Sequence, residues 1–261
     1  MVEGGPSLSR VAVITGAAGG LGRALCGQLV GQGWRVWALD LPSNALDGMA
    51  GARVTPLAVD LTDDAAIAQA AAKILAADPA IDLVIHSAGV THIRPFADST
   101  PESHRRVMAI NHFAVVSLTA VLLQAVRRAR GVHLAISSVA GFAPLHHRTA
   151  YAASKHALEG FFKSLRSEEA AHGVACLIAA PSFVATNPGR AEAQHDGVAR
   201  PGAAVDGFDE ITPEAASAII LRGLARRQGF IPVGRVARLG YLVNRLSPVL
   251  YERLMRRKVT R

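Results

Sequence analysis

A short apolar run, Arg10-Val11-Ala12-Val13-Ile14, passes straight into Thr15-Gly16-Ala17-Ala18-Gly19-Gly20-Leu21-Gly22, and a helical pattern follows from about Leu21 to Gln32. Strand, glycine-rich turn and helix, in that order, constrain the fold more than any other stretch. The turn brings backbone N–H groups and a helix N-terminus to one point, where a pyrophosphate can be held. Glycine belongs there because a β-carbon would keep the phosphates off the backbone. The spacing is G-x-x-x-G-x-G, through Gly16, Gly20 and Gly22, rather than G-x-G-x-x-G. Such a turn alone is also a tight βα connection. Its place directly after an apolar strand favours a nucleotide.

The alternation continues along the chain. Trp34 to Leu39 reads as a second strand ending at Asp40, Arg53 to Val59 as a third closed by Asp60-Leu61-Thr62, and Ile81 to Ser87 as a fourth running into Ala88-Gly89. Helical patterns cover about Ala65 to Ala77, with Thr62 or Asp63 as cap, then Pro101 to Ile110 and Phe113 to Val126. Gly131 to Ile136 is a fifth strand delivering Ser137-Ser138, and a helix runs from near Thr149 to about His172. Val174 to Ala180 and Phe230 to Val233 supply the last strands, with a helix between them that starts at Thr212-Pro213. The pattern predicts one α/β domain over residues 1–261. It is a Rossmann-type doubly wound parallel sheet of about seven strands, with helices on both faces and a helical C-terminal extension. Ligands of such sheets bind at the carboxyl ends of the strands, where these glycine and polar motifs fall.

Two chemical expectations follow from the residues themselves. Asp40 lies eighteen residues beyond Gly22, where a carboxylate receives the ribose hydroxyls of an adenosine and repels a 2′-phosphate. No Lys or Arg follows at Leu41-Pro42, and Gly19 is not basic, so the cofactor reads as NAD over NADP. Tyr151 and Lys155, four residues apart, share one face of a helix. A lysine ammonium near a phenol favours the phenolate and lowers its pKa, which lets the tyrosine exchange a proton with an alcohol or carbonyl near neutral pH. Ser138, thirteen residues upstream of Tyr151, is placed to hold the same oxygen. A tyrosine and a lysine at this spacing also occur on ordinary amphipathic helices.

Together these residues resemble the classical short-chain dehydrogenases/reductases. The resemblance runs from residue 10 to about 190 through Thr15 to Gly22, Asp40, Asp60, Ala88-Gly89, Asn111, Ser138, Tyr151, Lys155 and Pro181 to Thr186. It implies a catalytic tetrad of Asn111, Ser138, Tyr151 and Lys155, with Asn111 holding a water that relays protons to Lys155. It implies cofactor contacts from Gly16, Gly19, Gly20, Leu21 and Gly22, and from Asp40, Asp60, Leu61, Ala88 and Gly89. Tyr151, Lys155, Pro181, Val184 and Thr186 complete that set, the last on the nicotinamide carboxamide. Residues 187–211 would be the substrate lid. A homodimer or homotetramer is implied too, with the Phe113–Val126 and Tyr151 helices pairing across a two-fold. Phe161, Phe162 and Leu165 beside Leu158 offer apolar surface for it.

Two positions depart from the family. His86-Ser87-Ala88-Gly89 stands where Asn-Asn-Ala-Gly is usual, and His86 reads as a structural histidine before a catalytic one. Ser182 replaces the usual glycine after Pro181. The function implied is an NAD-dependent oxidoreductase interconverting a secondary alcohol and a ketone by hydride transfer, with the tyrosine as acid and base. A catalytically silent regulatory or scaffold protein on the same fold is the other reading, and the presence of all four tetrad residues argues against it. The pocket would draw on Gly141 to His147 and Asn187 to Asp209. Phe142, Leu145, Phe183 and Phe208 in and near them point to an apolar substrate, lipid-like, steroid-like or acyl.

Composition sets the remaining bounds. Half of the 261 residues are hydrophobic and 18% are charged, as suits a well-buried globule. The formal net charge is +8, and from Arg222 to Arg261 there are eleven Lys or Arg against one acid, Glu252. Aromatics are 5% of the chain and do not interleave with the basic residues, which argues against nucleic acid. The histidines show no metal-ligand spacing, so no metal is expected. Cys26 and Cys176 sit in apolar runs and read as reduced core residues of an intracellular protein. Met1 to Arg10 is too polar for a signal peptide, and Phe113 to Val126, interrupted by Ser117, Thr119 and Gln124, is too short to span a bilayer. A soluble, cytoplasmic protein is expected.

The C-terminus leaves two readings open. Leu239, Leu242, Val243 and Leu246 fall at i, i+3, i+4 and i+7, one face of a helix. Ser247-Pro248 opens another, with Leu250, Tyr251, Leu254 and Met255 apolar. Arg238, Arg245, Arg253, Arg256, Arg257 and Lys258 are left for the other faces. Either these helices (residues 235–261) pack on their own domain and wall the pocket, or they lie on an anionic membrane as a peripheral contact. An apolar face buried internally is the commoner arrangement.

Overall fold

The computed structural model describes residues 9–186, 197–199 and 210–259, without the side chains of 255–259. The N-terminal half contains β1 (Val11–Thr15), α1 (Gly20–Gly31), β2 (Arg35–Asp40), α2 (Asn44–Asp47), β3 (Val54–Ala58), α3 (Asp64–Ala77), β4 (Leu83–His86) and β5 (Thr91–His92). Next come α4 (Pro101–Met108), α5 (Ala114–Ala129), β6 (Val132–Ile136), α6 (Thr149–Glu169), β7 (Ala175–Pro181) and β8 (Phe183–Val184). The chain ends with β9 (Val198–Ala199), β10 (Glu210–Ile211), α7 (Pro213–Ala225), β11 (Phe230–Val233), α8 (Arg235–Leu246) and α9 (Pro248–Val259).

Seven strands form one parallel sheet in the order β11-β7-β6-β4-β1-β2-β3, as the alternation predicts. The chain winds outward from β1 to β3 and then returns to β4 on the other side of β1. That reversal opens a crevice at the carboxyl ends of β1 and β4. Alternation along the buried strands feeds two cores. Ala12 and Ile14 pack with Leu21, Leu25 and Leu29 of α1 and Ile220 of α7. Val11 and Val13 pack with Ile67 and Ile74 of α3, Leu118 and Leu122 of α5 and Phe162 of α6. Pro56 is tolerated in β3 because that strand is at the sheet edge. The helix starts follow capping chemistry. Asp63, one of the two candidate caps, accepts from the N–H groups of Ala65 and Ala66, and Thr212 accepts from Ala215.

Two expectations need correction, and a third falls largely outside the described residues. The break foreseen at Asn111-His112 is instead a π-helical turn, Ala109–Phe113, joining α4 to α5. Pro101–Ala129 is therefore one continuous helix, long and apolar enough by composition to cross a membrane, whereas the shorter apolar run read alone was not. It is built into the domain, with α3 packed on α5 and α6 on α4. Second, Leu158, Phe162 and Leu165 are 8% exposed or less. They face the sheet and supply core, not an intermolecular surface. Third, of residues 187–211 only 197–199 and 210–211 are described, so most of the expected lid, with Phe208, lies outside the described residues. Cys26 and Cys176 are unpaired thiols in the cores on opposite faces of the sheet, and burial pushes each up to about 12.

Candidate active site

One cleft opens at the crevice, and its floor is the glycine-rich turn. Gly16 has φ +66°, and a β-carbon there would lie 2.8 Å from the backbone of Ala88. One on Gly20 would lie 2.6 Å from the carbonyl of Thr186, and one on Gly22 would collide with the carbonyl of Gly16. The glycines thus let three backbone segments converge: the turn itself, the exit of β4 and the segment after β8. Thr15 fixes the second of these, its Oγ1 accepting from the N–H groups of Ser87 and Ala88 at 3.1 Å. The N-terminus of α1 faces the cleft, which suits a pyrophosphate.

Farther along, the predicted adenosine contacts line the same cleft: Asp40, Asp60 and Leu61 with Gly19 and Leu21. The Asp40 carboxylate is held in place, Oδ2 accepting from Ala18 N at 2.9 Å and Oδ1 from Leu41 N at 2.8 Å. Asp60 Oδ1 accepts from the N–H and hydroxyl of Thr62. Arg23, which the sequence reading passed over, is anchored on Ala18, the residue whose N–H bonds Asp40. Its Nε donates to Ala18 O and its Nη2 to Ala45 O, at 2.9 and 2.7 Å. Its place on α1, seven residues from the first motif glycine, gave no local hint of this. The cradle and the flanking carboxylate fit a dinucleotide.

The other end holds the predicted tetrad. Tyr151 and Lys155 come from α6, and Ser138 caps the 3-10 turn Val139–Gly141 after β6. All three line the cleft, as do Ala88, Gly89, Pro181, Val184 and Thr186. Asn111 does not. It is buried behind Gly89, where its Oδ1 accepts from Val90 N and its Nδ2 donates to Val90 O and to Ser154 Oγ, all within 2.9 Å. A β-carbon on Gly89 would lie 3.1 Å from Asn111 Oδ1 and 3.6 Å from Lys155 Nζ. The asparagine side chain therefore braces the wall against which Lys155 rests. It sits in the π-helical turn, a feature frequent at functional sites with no sequence signal that could have announced it.

Electrostatics depart from the expectation for Tyr151. Burial raises the phenol pKa, against the opposing pulls of a hydrogen bond from Ser138 and the charge of Arg148. Lys155 is itself desolvated and falls to about 8, partly restored by Glu159. Its Nζ donates to Ile136 O at 2.9 Å and lies 5.8 Å from the centre of the Tyr151 ring. Spacing on a helix placed the two residues together, but burial of both outweighs the attraction. The cation acting on the phenol is Arg148, at the start of α6, which donates to Thr91 Oγ1 at 3.0 Å. A cation opposes the helix dipole at that end, and this was the overlooked hint.

The two departures from the family find structural answers. Ser182 donates its N–H to Val233 O at 3.0 Å and directs its hydroxyl to the same carbonyl, tying β7 to the end of β11. His86 is buried under the sheet against His133, ring centres 5.7 Å apart and near-parallel, away from the cleft. Leu145 and Phe183 line the cleft, but Phe142 packs on Phe230 and Tyr241 instead. Phe142 is thus support beneath the wall, not lining.

Known proteins place this arrangement. The family model for short chain dehydrogenases matches residues 10–196. A bovine protein, dehydrogenase/reductase SDR family member 7B, is 33% identical over 265 residues, spanning 94% of this chain and 80% of its own. Alignments to the mouse and rat proteins of that name span 58% of those chains. A short-chain dehydrogenase from Burkholderia cenocepacia, solved with NADP, has a TM-score of 0.83 at 22% identity, covering 95% of this chain and 97% of that one. One from Burkholderia phymatum, solved with NAD, has a TM-score of 0.73 at 22% identity, covering 85% and 88%. These two share the fold. With its sheet, cleft and family match in agreement, the chain belongs to the short-chain dehydrogenase family of oxidoreductases.

Proposed function

We propose that the protein is an NAD-dependent oxidoreductase interconverting an apolar secondary alcohol and its ketone, with Tyr151 exchanging the oxygen-bound proton. The observation that carries this reading is the buried Tyr151 phenol, bonded to Ser138 and facing the cleft above the glycine-rich turn. A bound nicotinamide would supply or accept the hydride. The substrate oxygen would sit between Tyr151 Oη and Ser138 Oγ, which share the work of holding and protonating it. A phenol with a raised pKa is protonated at neutral pH, so it donates to a ketone. Ketone reduction consumes that proton, so alcohol oxidation gains as the pH rises. Asp40 is the basis for choosing NAD, since its fixed carboxylate would repel a 2′-phosphate. Both cofactors occur in solved relatives of the fold, so the choice rests on this chain's own residues. Val90, Ile93, Ile110, Leu145 and Phe183 line the substrate end and favour an apolar group beside the carbonyl.

A panel of ketones and secondary alcohols, followed at the nicotinamide absorbance with each cofactor, tests the reading. The expected result is reduction of an apolar ketone with NADH at neutral pH. Tight NADH binding with no turnover across the panel would favour the silent scaffold. We infer a homo-oligomer as well, because Phe113, just before α5, is 58% exposed and Val121, on α5, is exposed too. A strictly monomeric mass by light scattering would count against it.

A further inference from the structure

The C-terminal helices turn the leucines of α8 away from the domain, while Val243 of the same face packs inward. The side that meets the body is made by Ala237, Tyr241 and Asn244. Ala237 is fully buried, Tyr241 stacks on Phe230 with ring centres 4.3 Å apart, and Asn244 Nδ2 donates to Phe142 O at 2.6 Å. Tyr251 of α9 closes the same cluster with Val139 and Ala143. These contacts fix the rotation of α8, and they leave its leucines outside. Leu239, Leu242 and Leu246 are 65%, 54% and 78% exposed. Val249, Leu250 and Leu254 continue the exposed surface along α9. Seven of the eleven exposed large apolar side chains among the described residues fall between 236 and 254. Single exposed leucines are ordinary on a protein surface, but a cluster of this kind marks a contact.

Charge identifies what covers it. Arg238 and Arg245, seven residues apart, flank the leucine row on the same side of α8 and are exposed, as is Arg253 on α9. Across residues 222–261 basic side chains outnumber acidic ones eleven to one. A second copy packed here by two-fold symmetry would bring an equally basic face onto this one. An anionic lipid surface satisfies both features, taking the leucines into its acyl boundary while the arginines reach headgroup phosphates. We propose that α8 and α9 dock the protein on an anionic membrane surface through Leu239, Leu242, Leu246 and Leu250, with Arg238 and Arg245 on the headgroups. Leu145 packs into the α8–α9 cluster and also lines the cleft, so the inner side of the docking helices adjoins the wall of the site. The docking stands independently of the oxidoreductase reading.

Co-sedimentation of the full chain with vesicles of phosphatidylcholine alone, or mixed with phosphatidylserine, tests the proposal. Binding is expected to the mixed vesicles at low salt, with little to the neutral ones and release as salt rises. Leu242→Gln with Leu246→Gln leaves the charge unchanged and should weaken binding at least tenfold. Arg238→Gln and Arg245→Gln should each weaken it about fivefold. The substituted positions are exposed, so the thermal melt should not move. No sedimentation at low salt overturns the proposal, and so does full retention by the leucine variant, which would reduce the effect to net charge. A wild-type oligomer that the leucine variant dissociates, without vesicle binding, assigns the face to a second copy and overturns it equally.

Discussion

Glu159 accepts a hydrogen bond from the Ser137 hydroxyl at 2.9 Å in a wholly buried setting, linking the helix of Tyr151 and Lys155 to the strand end that carries Ser138. The other carboxylate oxygen accepts from Lys163 Nζ, also at 2.9 Å. Gly141 presses on this contact so closely that a β-carbon there would collide with both Glu159 and Ser137. One helical turn beyond Lys155, the Glu159 charge also opposes the loss of the lysine's proton. Glu159→Gln keeps an acceptor for Ser137 and removes that charge. Lys155 should then lose its proton below its present value of about 8. We expect kcat for ketone reduction to fall about tenfold on the alkaline side with KM little changed, and its decline to begin at lower pH than in the wild type. A pH profile superimposable on that of the wild type would leave Glu159 a purely structural brace.

Tyr151→Phe deletes only the ionisable oxygen. Turnover should fall by about two to four orders of magnitude, while NADH affinity and the thermal melt stay put. In the wild type, ketone reduction should hold across neutral pH and decline on the alkaline side. Oxidation should climb over the same range, because burial raises the phenol pKa. Near-normal turnover in the phenylalanine variant would remove Tyr151 from the chemistry.

Cofactor choice should turn on Asp40 and Arg23. On the proposed NAD reading the Asp40 carboxylate would meet a 2′-phosphate, and the Arg23 guanidinium is anchored on Ala18 O and Ala45 O, Ala18 N–H also donating to Asp40. Asp40→Ala should move the preference towards NADPH by about tenfold or more, since it removes the repelling charge and leaves Arg23 to attract the phosphate. Adding Arg23→Ala should cancel most of that gain. Fluorescence titration showing that the unmodified protein prefers NADPH would overturn the assignment of NAD.

The sheet and the floor of the site were legible because their causes are local. Apolar runs bounded by glycine or aspartate gave all seven strands, and Phe230 to Val233 matches β11 residue for residue. Close backbone approach demands glycine at 16, 20 and 22, so those positions declared themselves. What stayed hidden depends on tertiary packing. Periodicity grouped Leu239, Leu242, Val243 and Leu246 on one face of α8, but it could not say that Val243 would join Ala237 and Asn244 against the body and leave the three leucines outside. Helical spacing brought Tyr151 to Lys155, yet the direction of the phenol's shift was set by burial from elements distant in sequence. The π-helical turn at Asn111 has no residue pattern of its own.

Acid should destabilise the fold through the buried pair His86–His133. The rings lie on adjacent strands β4 and β6, with Nε2 of His86 and Nδ1 of His133 3.4 Å apart. Thr119, Phe162 and the charge of Glu169 are their other neighbours. Burial lowers His133 to about 4, and lowers His86 well below its usual value, with the charge of His133 adding to the effect. Both folded-state values lie below those of the unfolded chain, so between about 4 and 6.5 the unfolded chain binds more protons. Stability from this source is complete above pH 6.5 and is lost as pH falls through that window. At pH 5 His133 alone should have lost about 2 kcal/mol relative to neutral pH, a drop of roughly 4–8 °C in Tm for a chain of this size. Glu169, held down chiefly by its hydrogen bond to Arg127, adds its own loss at still lower pH. His86→Asn with His133→Gln removes the titration and should flatten the melting temperature between pH 7.5 and 5, even where it lowers it overall. An equal fall in wild type and double variant would mean that the acid sensitivity comes from elsewhere in the chain.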